Sequence, residues 1–221
     1  MNGLFEQVDG YCERVDPSFW AEPVNAVTNA AFLVAAFILW RRVQGQGMPL
    51  AVLLCWILAA IGIGSFLFHT FAEVWAGIAD VVPIVLYILV YIYAANLHYL
   101  RWPWWGAALG TAGFVPYAAG LVPLIGALPF FGISAVYWPV PILIAGYGVY
   151  LLRRAPATAR GLLIGTGMLC ASLTFRSLDE ILCGAFPVGT HFLWHVLNGV
   201  MLGWMIEVYR AHRLAERKAL G

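Results

Sequence analysis

The sequence is poor in charged side chains. Only 10% of its 221 residues are Asp, Glu, Lys or Arg, whereas 62% are hydrophobic. Residues 102–152 form a run of 51 positions without one charge, enough for two crossings of a bilayer core about 30 Å thick. A soluble domain of this length cannot bury so much apolar surface. The composition therefore excludes that class and indicates a polytopic membrane protein.

An excess of basic residues is also missing. The formal net charge is +1, which provides no large positive field for phosphates and argues against a nucleic-acid partner. No internal repeat, low-complexity tract or long linker divides the sequence. The N-terminal residues are polar and acidic where a cleavable signal peptide would be basic and then apolar. We expect a single seven-transmembrane domain over residues 1–221.

Hydropathy predicts an all-α, seven-transmembrane helix bundle. The expected spans are residues 22–40, 49–69, 78–97, 103–122, 134–152, 161–175 and 189–209. Ten of the twelve basic residues fall in loops one, three and five or at the C-terminus, and only Arg14 and Arg176 lie elsewhere. By the positive-inside rule, the N-terminus is expected outside and the C-terminus in the cytoplasm.

Four ionisable residues in the spans stand at the same membrane depth. His69 ends the second span at its outer side, Asp80 begins the third there, and His191 and His195 begin the seventh. Ionisable groups within a membrane are costly and are functional candidates by default. Their shared depth favours one common site.

The spacing and residue types predict a zinc site. His191 and His195 are four residues apart on one helical face, and His69 from another helix completes three ligands. Three protein ligands and an open fourth position are typical of catalytic zinc. Asp80 is then the candidate general base and acid. Ser65, one turn before His69, is the candidate hydrogen-bond donor to the metal site or to a developing oxyanion. Haem is disfavoured because ligands one turn apart cannot reach opposite haem faces.

A second polar cluster precedes the first span. Asp9, Glu13, Asp16 and Glu22 supply four carboxylates within fourteen residues. Oxygen-rich clusters suit calcium, which takes six to eight oxygen ligands. A solvated acidic segment, with Glu22 near a helix N-terminus, is the alternative interpretation and is favoured by composition alone.

The four cysteines divide into two groups. Cys55 and Cys170 fall within predicted spans and are expected to be buried thiols. Cys12 and Cys183 both lie on the predicted outer side. If that side is oxidising, they are the pair in a disulfide-permissive compartment.

Three blocks of the sequence resemble the alkaline ceramidase family, in a bacterial form. They are "GYCERVDPSFWAEPVNAVTN", "GIGSFLFHTF" with "IAD", and "SLDEILCGAFPVGTHFLWHVLNG". That family belongs to a superfamily of seven-span metal-dependent hydrolases that includes the adiponectin receptors. Spans four and five carry no motif. The resemblance implies a membrane protein that hydrolyses the amide bond of a ceramide-like or other N-acyl lipid. The short loops and compact ends look bacterial, so we expect an integral protein of the bacterial inner membrane.

The resemblance also implies site residues. Zinc would be bound by His69, His191 and His195, with Asp80 and Ser65 beside it. Calcium would be bound in the N-terminal segment, where Glu13 and Glu22 match the family pattern and Asp16 would substitute for a missing ligand. The sequence departs from the animal enzymes at Gly10 and Tyr11, where those enzymes have Asp-Trp. The family likewise pairs the two outer cysteines.

Two other function classes remain open. The adiponectin receptors make a lipid receptor or lipid-binding protein with structural zinc the main alternative to a hydrolase. An ion or proton transporter would need polar residues that continue to the cytoplasmic side, and spans four and five contain none.

Overall fold

The structure is a computed structural model that describes residues 3–8 and 10–220; Asp9 of the acidic cluster lies outside the described residues. Within these ranges the regular structure is helical, apart from a single antiparallel bridge between Gln7 and Glu73. The helices are α1 (Pro23–Thr28), α2 (Ala30–Val43), α3 (Pro49–Phe71), α4 (Val74–His98), α5 (Trp104–Ala112), α6 (Phe114–Gly126), α7 (Pro139–Leu151), α8 (Pro156–Leu182) and α9 (His191–Leu220), with short 3₁₀ turns at Gly3–Phe5 and Gly132–Ser134.

Five helical segments are long and apolar enough to cross a membrane. They are Pro23–Val43, which joins α1 and α2, Pro49–Phe71, Val74–His98, Trp104–Gly126, which joins α5 and α6, and Pro156–Leu182. The helix Pro139–Leu151 is apolar but shorter. Large hydrophobic side chains such as Val34, Phe37 and Leu109 are exposed on these helices, as expected of surfaces that face lipid. The expectation of an all-helical membrane protein is confirmed at this level.

The helix boundaries differ from the expected spans in several places. Helix α8 runs from Pro156 to Leu182, well beyond the expected 161–175, and α4 begins at Val74 rather than near residue 78. The span estimates counted apolar residues, but a helix continues through polar residues as long as its backbone hydrogen bonds are satisfied. Conversely, helix α7 begins only at Pro139, within the expected span 134–152.

The core is built by α3 packed on α4, α8 on α9, and α2 against both α3 and α9. Apolar side chains such as Leu58, Leu173 and Ile206 fill its centre. Helices α3 and α4 approach closely at Gly64, where an added Cβ would lie 2.7 Å from the carbonyl carbon of Ala79. Such a contact between backbones requires glycine, and it brings the second half of α3 and the first half of α4 together.

The two ends of the bundle differ in chemistry. At one end lie the last turn of α3, the start of α9 and the segment before α1. A disulfide between Cys12 and Cys183 ties the N-terminal segment to the residue that follows α8, which confirms the expected pairing. The opposite end carries most of the arginines; there Arg217 donates to the carbonyl oxygens of Gln46 and Gly47.

Candidate metal centre

Three histidines from two helices meet at the disulfide-linked end of the bundle. His69 is in the last turn of α3, and His191 and His195 lie one turn apart on α9. One nitrogen of each ring lies within 4.8 Å of the corresponding nitrogens of the other two, and the residues are only 1–2% exposed. The structure therefore brings together the three residues that the sequence predicted as zinc ligands. Among the described residues, this is the cluster with the geometry to hold a metal ion.

Two of the rings are oriented by hydrogen bonds at one nitrogen. His69 Nδ1 donates to Glu22 Oε2 at 2.6 Å, and His195 Nδ1 shares a hydrogen bond of 3.0 Å with the hydroxyl of Thr28. Metal-ligating histidines characteristically use their second nitrogen in this way, because the contact fixes the tautomer and the ring orientation. Both partners lie in or immediately before α1, so that short helix acts as a support for the cluster.

The remaining nitrogens make the cluster suitable for a metal. His195 Nε2 and His191 Nδ1 are buried and have no hydrogen-bond partner in the part of the chain that the structure describes. A buried polar atom without a partner is costly and needs an explanation. Neutral imidazole nitrogens are good ligands for zinc and other transition metals, and three of them converge here. The donor set therefore fits the metal that the sequence predicted.

Glu22 connects the cluster to a buried arginine. Its Oε1 accepts from Arg14 Nε at 2.6 Å, and its Oε2 accepts from His69 and, at 3.1 Å, from Asn25 Nδ2. Burial alone would raise the pKa of Glu22, but the contacts with His69, Arg14 and Asn25 hold this pKa below its ordinary value. Glu22 thus remains a carboxylate although it is almost completely enclosed.

Asp80 and Ser65 line a cavity beside the histidines. Its wall includes Asp80, Ser65, Trp194 and Asn198 among mainly apolar side chains. The Trp194 ring lies 6.5 Å from that of His191. Asp80 does not belong to the three-histidine cluster. Both candidate catalytic side chains thus line one cavity, and Trp194 of the same wall links it to His191.

A second apolar cavity continues deeper into the bundle. The two cavities share five wall residues: Tyr87, Ile88, Val140, Met201 and Leu202. Three further tyrosines line the second cavity away from the first: Tyr91, Tyr99 and Tyr147. The polar side chains Ser65, Asp80 and Asn198 line the first cavity and not the second. An elongated ligand with a polar end and an apolar tail matches this distribution.

The predicted calcium residues are distributed over separate contacts. Glu13 accepts the backbone N–H groups of Val24 and Asn25 at 2.7 and 2.8 Å, and so satisfies donors in the first turn of α1. Asp16 is exposed and accepts the backbone N–H of Ser18, and hydrogen bonds from that residue lower the pKa of Asp16. Glu22 is paired as described above. The structure does not gather the three carboxylates around one point, and calcium binding remains a prediction.

Sequence reasoning missed several residues that shape the centre. Asp179 Oδ1 accepts the backbone N–H groups of Thr190 and His191 at 2.6 and 2.8 Å, so it holds the start of α9. Gly189 lies beside it with φ of +68°, and an added Cβ would lie 2.7 Å from the Cβ of Cys12. The Tyr11 ring packs on His191 with centroids 3.8 Å apart.

One of the missed residues had a usable sequence signal. Asn198 lies three residues after His195 and seven after His191, and this spacing places all three on one face of α9. The contacts of Asp179 with Cys12, of Tyr11 with His191 and of Arg14 with His69 join segments far apart in the chain, and no local spacing indicates them.

The fold and the centre define a class: an all-helical protein with membrane-length apolar helices and a buried three-histidine cluster beside an apolar cavity. A comparison with protein-family models matched residues 10–219 to the family described as Ceramidase. The chain therefore belongs to the ceramidase family, and membership implies hydrolysis of a lipid amide bond. The expected family resemblance is confirmed. A comparison with curated proteins gave no match.

Proposed function

We propose that this protein is a zinc-dependent amidase that cleaves a ceramide-like or other N-acyl lipid into a fatty acid and an amine-bearing lipid. The observation that carries the proposal is the cluster of His69, His191 and His195, with its unpartnered buried nitrogens, beside a cavity that contains a carboxylate. Family membership supplies the reaction class, and the cluster supports metal dependence.

The three histidines would hold the zinc ion, and Glu22 and Thr28 would keep two of the rings in place. A zinc ion held there supplies Lewis-acid polarisation of the amide carbonyl and makes hydroxide accessible at neutral pH. Because all three ligands are neutral, the centre with zinc bound carries a positive charge. The Glu22 carboxylate partly balances this charge.

Asp80 and Ser65 would carry the proton transfer and the stabilisation of charge. Asp80 accepts a proton from the attacking water as the new C–O bond forms, and it donates that proton to the amine nitrogen as the C–N bond breaks. Ser65 donates a hydrogen bond to the oxygen on which negative charge develops. The products are a carboxylic acid and an amine, so atoms and protons balance.

The two connected cavities would hold the lipid tail. Their walls are mainly apolar, and they extend from the Asp80 end towards Tyr91 and Tyr99. Burial of an acyl chain there would contribute about 0.8 kcal/mol for each methylene removed from water. Asn198 Nδ2 is buried without a partner among the described residues and lines the outer cavity, where it would donate to a polar group of the lipid.

For the membrane arrangement we infer seven spans with the metal centre near the outer leaflet. The five membrane-length segments, the shorter α7 and the first half of α9 make seven. Ten of the twelve basic residues lie at the end opposite the histidines or in the connections there, which supports a cytoplasmic C-terminus. The short connections favour the bacterial inner membrane as the location.

Metal analysis and lipid turnover on the purified protein test the proposal. We expect about one zinc per chain and release of fatty acid from an N-acyl sphingoid lipid. Both should be lost in His195→Ala and retained in Arg42→Ala, which alters an exposed arginine on the distant end of α2. Zinc-free protein whose turnover is unaffected by His195→Ala would contradict the proposal. Bound zinc without any turnover would instead favour a lipid receptor or binding protein.

A further inference from the structure

Arg14 is enclosed by oxygen atoms in the N-terminal segment. Its Nε donates to Glu22 Oε1 at 2.6 Å, and its Nη2 donates to the carbonyl oxygen of His69 at 3.1 Å. Its Nη1 donates to the carbonyl oxygens of Asp16 and Ser18 at 3.2 and 3.4 Å. The side chain is only 3% exposed. Four oxygens from three parts of the chain therefore surround one permanently charged guanidinium.

This arrangement does not fit calcium. The ion takes six to eight oxygen ligands at about 2.3–2.6 Å, usually several of them carboxylates. Glu13 is occupied with the N-terminus of α1, Asp16 is exposed, and Glu22 already faces Arg14 and His69. Two further buried acceptors, Asn25 Oδ1 and Asn29 Oδ1, have no partner within the described ranges, but two amide oxygens do not make a calcium site.

Charge leads to the same result. A divalent cation next to the guanidinium would be repelled, and in a poorly screened interior this repulsion is strong. Among the described residues, the Glu22 carboxylate is the anion in contact with Arg14, and its two oxygens already face the guanidinium and the His69 ring. The oxygens that would attract calcium are thus engaged by a side chain of the protein itself.

We propose that Arg14 is the built-in cation of the N-terminal segment and takes the place of a bound calcium ion. It acts as a positioning residue, because it fixes Glu22 and the carbonyl of His69, and Glu22 in turn orients the His69 ring. The role of Arg14 in orienting His69 rests on the proposed function, in which His69 is a metal ligand. The replacement of calcium by Arg14 concerns only the N-terminal segment and does not depend on catalysis.

The proposal predicts a calcium response that the native protein lacks. In Arg14→Ala the carboxylate of Glu22 stays buried without its cation, and the carbonyls of Asp16, Ser18 and His69 lose their donor. The variant should therefore unfold at a midpoint roughly 10 °C lower. The vacated oxygens should then accept calcium, so that millimolar calcium restores part of the loss.

The experiment compares thermal unfolding of four proteins with and without a calcium-selective chelator. The native protein should have the same midpoint in chelator and in millimolar calcium. Arg14→Lys should lie between the native protein and Arg14→Ala, because lysine keeps the charge but not the planar fork of donors. Arg42→Ala is the matched control, since Arg42 is a largely exposed arginine whose removal should change neither the midpoint nor the calcium response.

Zinc affinity is the second readout. Arg14→Ala should bind zinc roughly 10–100-fold more weakly, as is typical when a contact behind a ligand is removed, and calcium should recover part of the affinity. A native protein that loses stability in chelator would overturn the proposal, because calcium would then be the resident cation. Native zinc affinity in Arg14→Ala, or an equal loss of stability with and without calcium, would also overturn it.

Two safeguards keep the outcomes separate. If Arg14→Ala does not fold, a calcium titration of the native protein and of Arg14→Lys still decides, because neither should bind calcium. If the native protein contains no zinc and releases no fatty acid, the proposed function fails, while the calcium comparison still tests the role of Arg14.

Discussion

Helix α3 and the segment formed by α5 and α6 are both 23 residues long and apolar enough to span a membrane, yet they occupy different environments. Helix α3 buries ten residues and carries Ser65 and His69 to the metal centre. Helix α6 buries none, and α5 buries only Ala107. The helix that hydropathy marks as the stronger membrane span is thus the one most enclosed by protein. Hydropathy identifies apolar helices but does not distinguish protein neighbours from lipid.

Two polar side chains show the same contrast. His69 of α3 contacts Glu22, which lies just before α1. Thr111 of α5 bonds only to the carbonyl of Ala107 in its own helix, at 2.8 Å. A partner on another element thus distinguishes His69 from Thr111. This difference leads to four predictions, ordered from the largest expected effect.

Asp80→Asn tests whether the region around the metal centre, unlike the segment of α5 and α6, carries out catalysis. The substitution keeps size and removes the proton acceptor, so lipid turnover should fall roughly 10²–10⁴-fold while the zinc content stays unchanged. The matched change in the lipid-facing segment is Thr111→Val, which should leave turnover unaltered. Both are measured by fatty-acid release alongside elemental analysis. Equal turnover in Asp80→Asn and the native protein would remove Asp80 from the mechanism.

Reduction of the Cys12–Cys183 disulfide tests the covalent support of the centre. The bond links the N-terminal segment to the residues that lead into α9, so Cys12→Ser should cost about 2–5 kcal/mol of stability and reduce zinc retention. Cys170→Ser, at a free thiol, is the control and should change little. Thermal unfolding and zinc release are the measurements. Loss of stability without faster zinc release would show that the disulfide does not support zinc binding at the centre.

Gly64→Ala and Gly120→Ala compare packing in the two regions. At Gly64 a methyl group would press against the backbone of α4, and overpacking of this kind should cost about 1–3 kcal/mol. At Gly120 on α6 the structure places nothing within 4 Å of an added Cβ, so alanine should be neutral or stabilising by up to about 1 kcal/mol. Unfolding midpoints of the two variants provide the measurement. Equal effects would show that α5 and α6 are as tightly enclosed as α3.

Asn198→Leu should have the smallest effect. The asparagine lines the outer cavity without a partner for its amide nitrogen among the described residues. If it donates to the lipid, its loss should raise KM several-fold, equivalent to about 1 kcal/mol, with little change in kcat. Kinetics with paired lipids that differ by one hydroxyl would check this. An unchanged KM for every lipid would show that the amide contacts no substrate.

The sequence by itself determined the class of fold and the members of the centre. Apolar run lengths indicated membrane helices, and the shared depth of His69, His191 and His195 predicted the cluster that the structure brings together. These signals are local, because spacing along a helix fixes which side chains share a face and which end of a span they occupy. The same reasoning predicted the partners of the disulfide from their common side of the membrane.

Only the tertiary structure decided how the centre is supported. The contact of Glu22 with His69 spans 47 residues, and those of Asp179 with Cys12 and of Thr28 with His195 each span 167. The sequence grouped Glu22 with the other acidic residues, and the family resemblance made it a calcium candidate, because neither shows which groups face a charge. A carboxylate becomes a calcium ligand, a helix cap or the partner of an arginine according to the groups that packing places around it, and here packing placed Arg14 against Glu22.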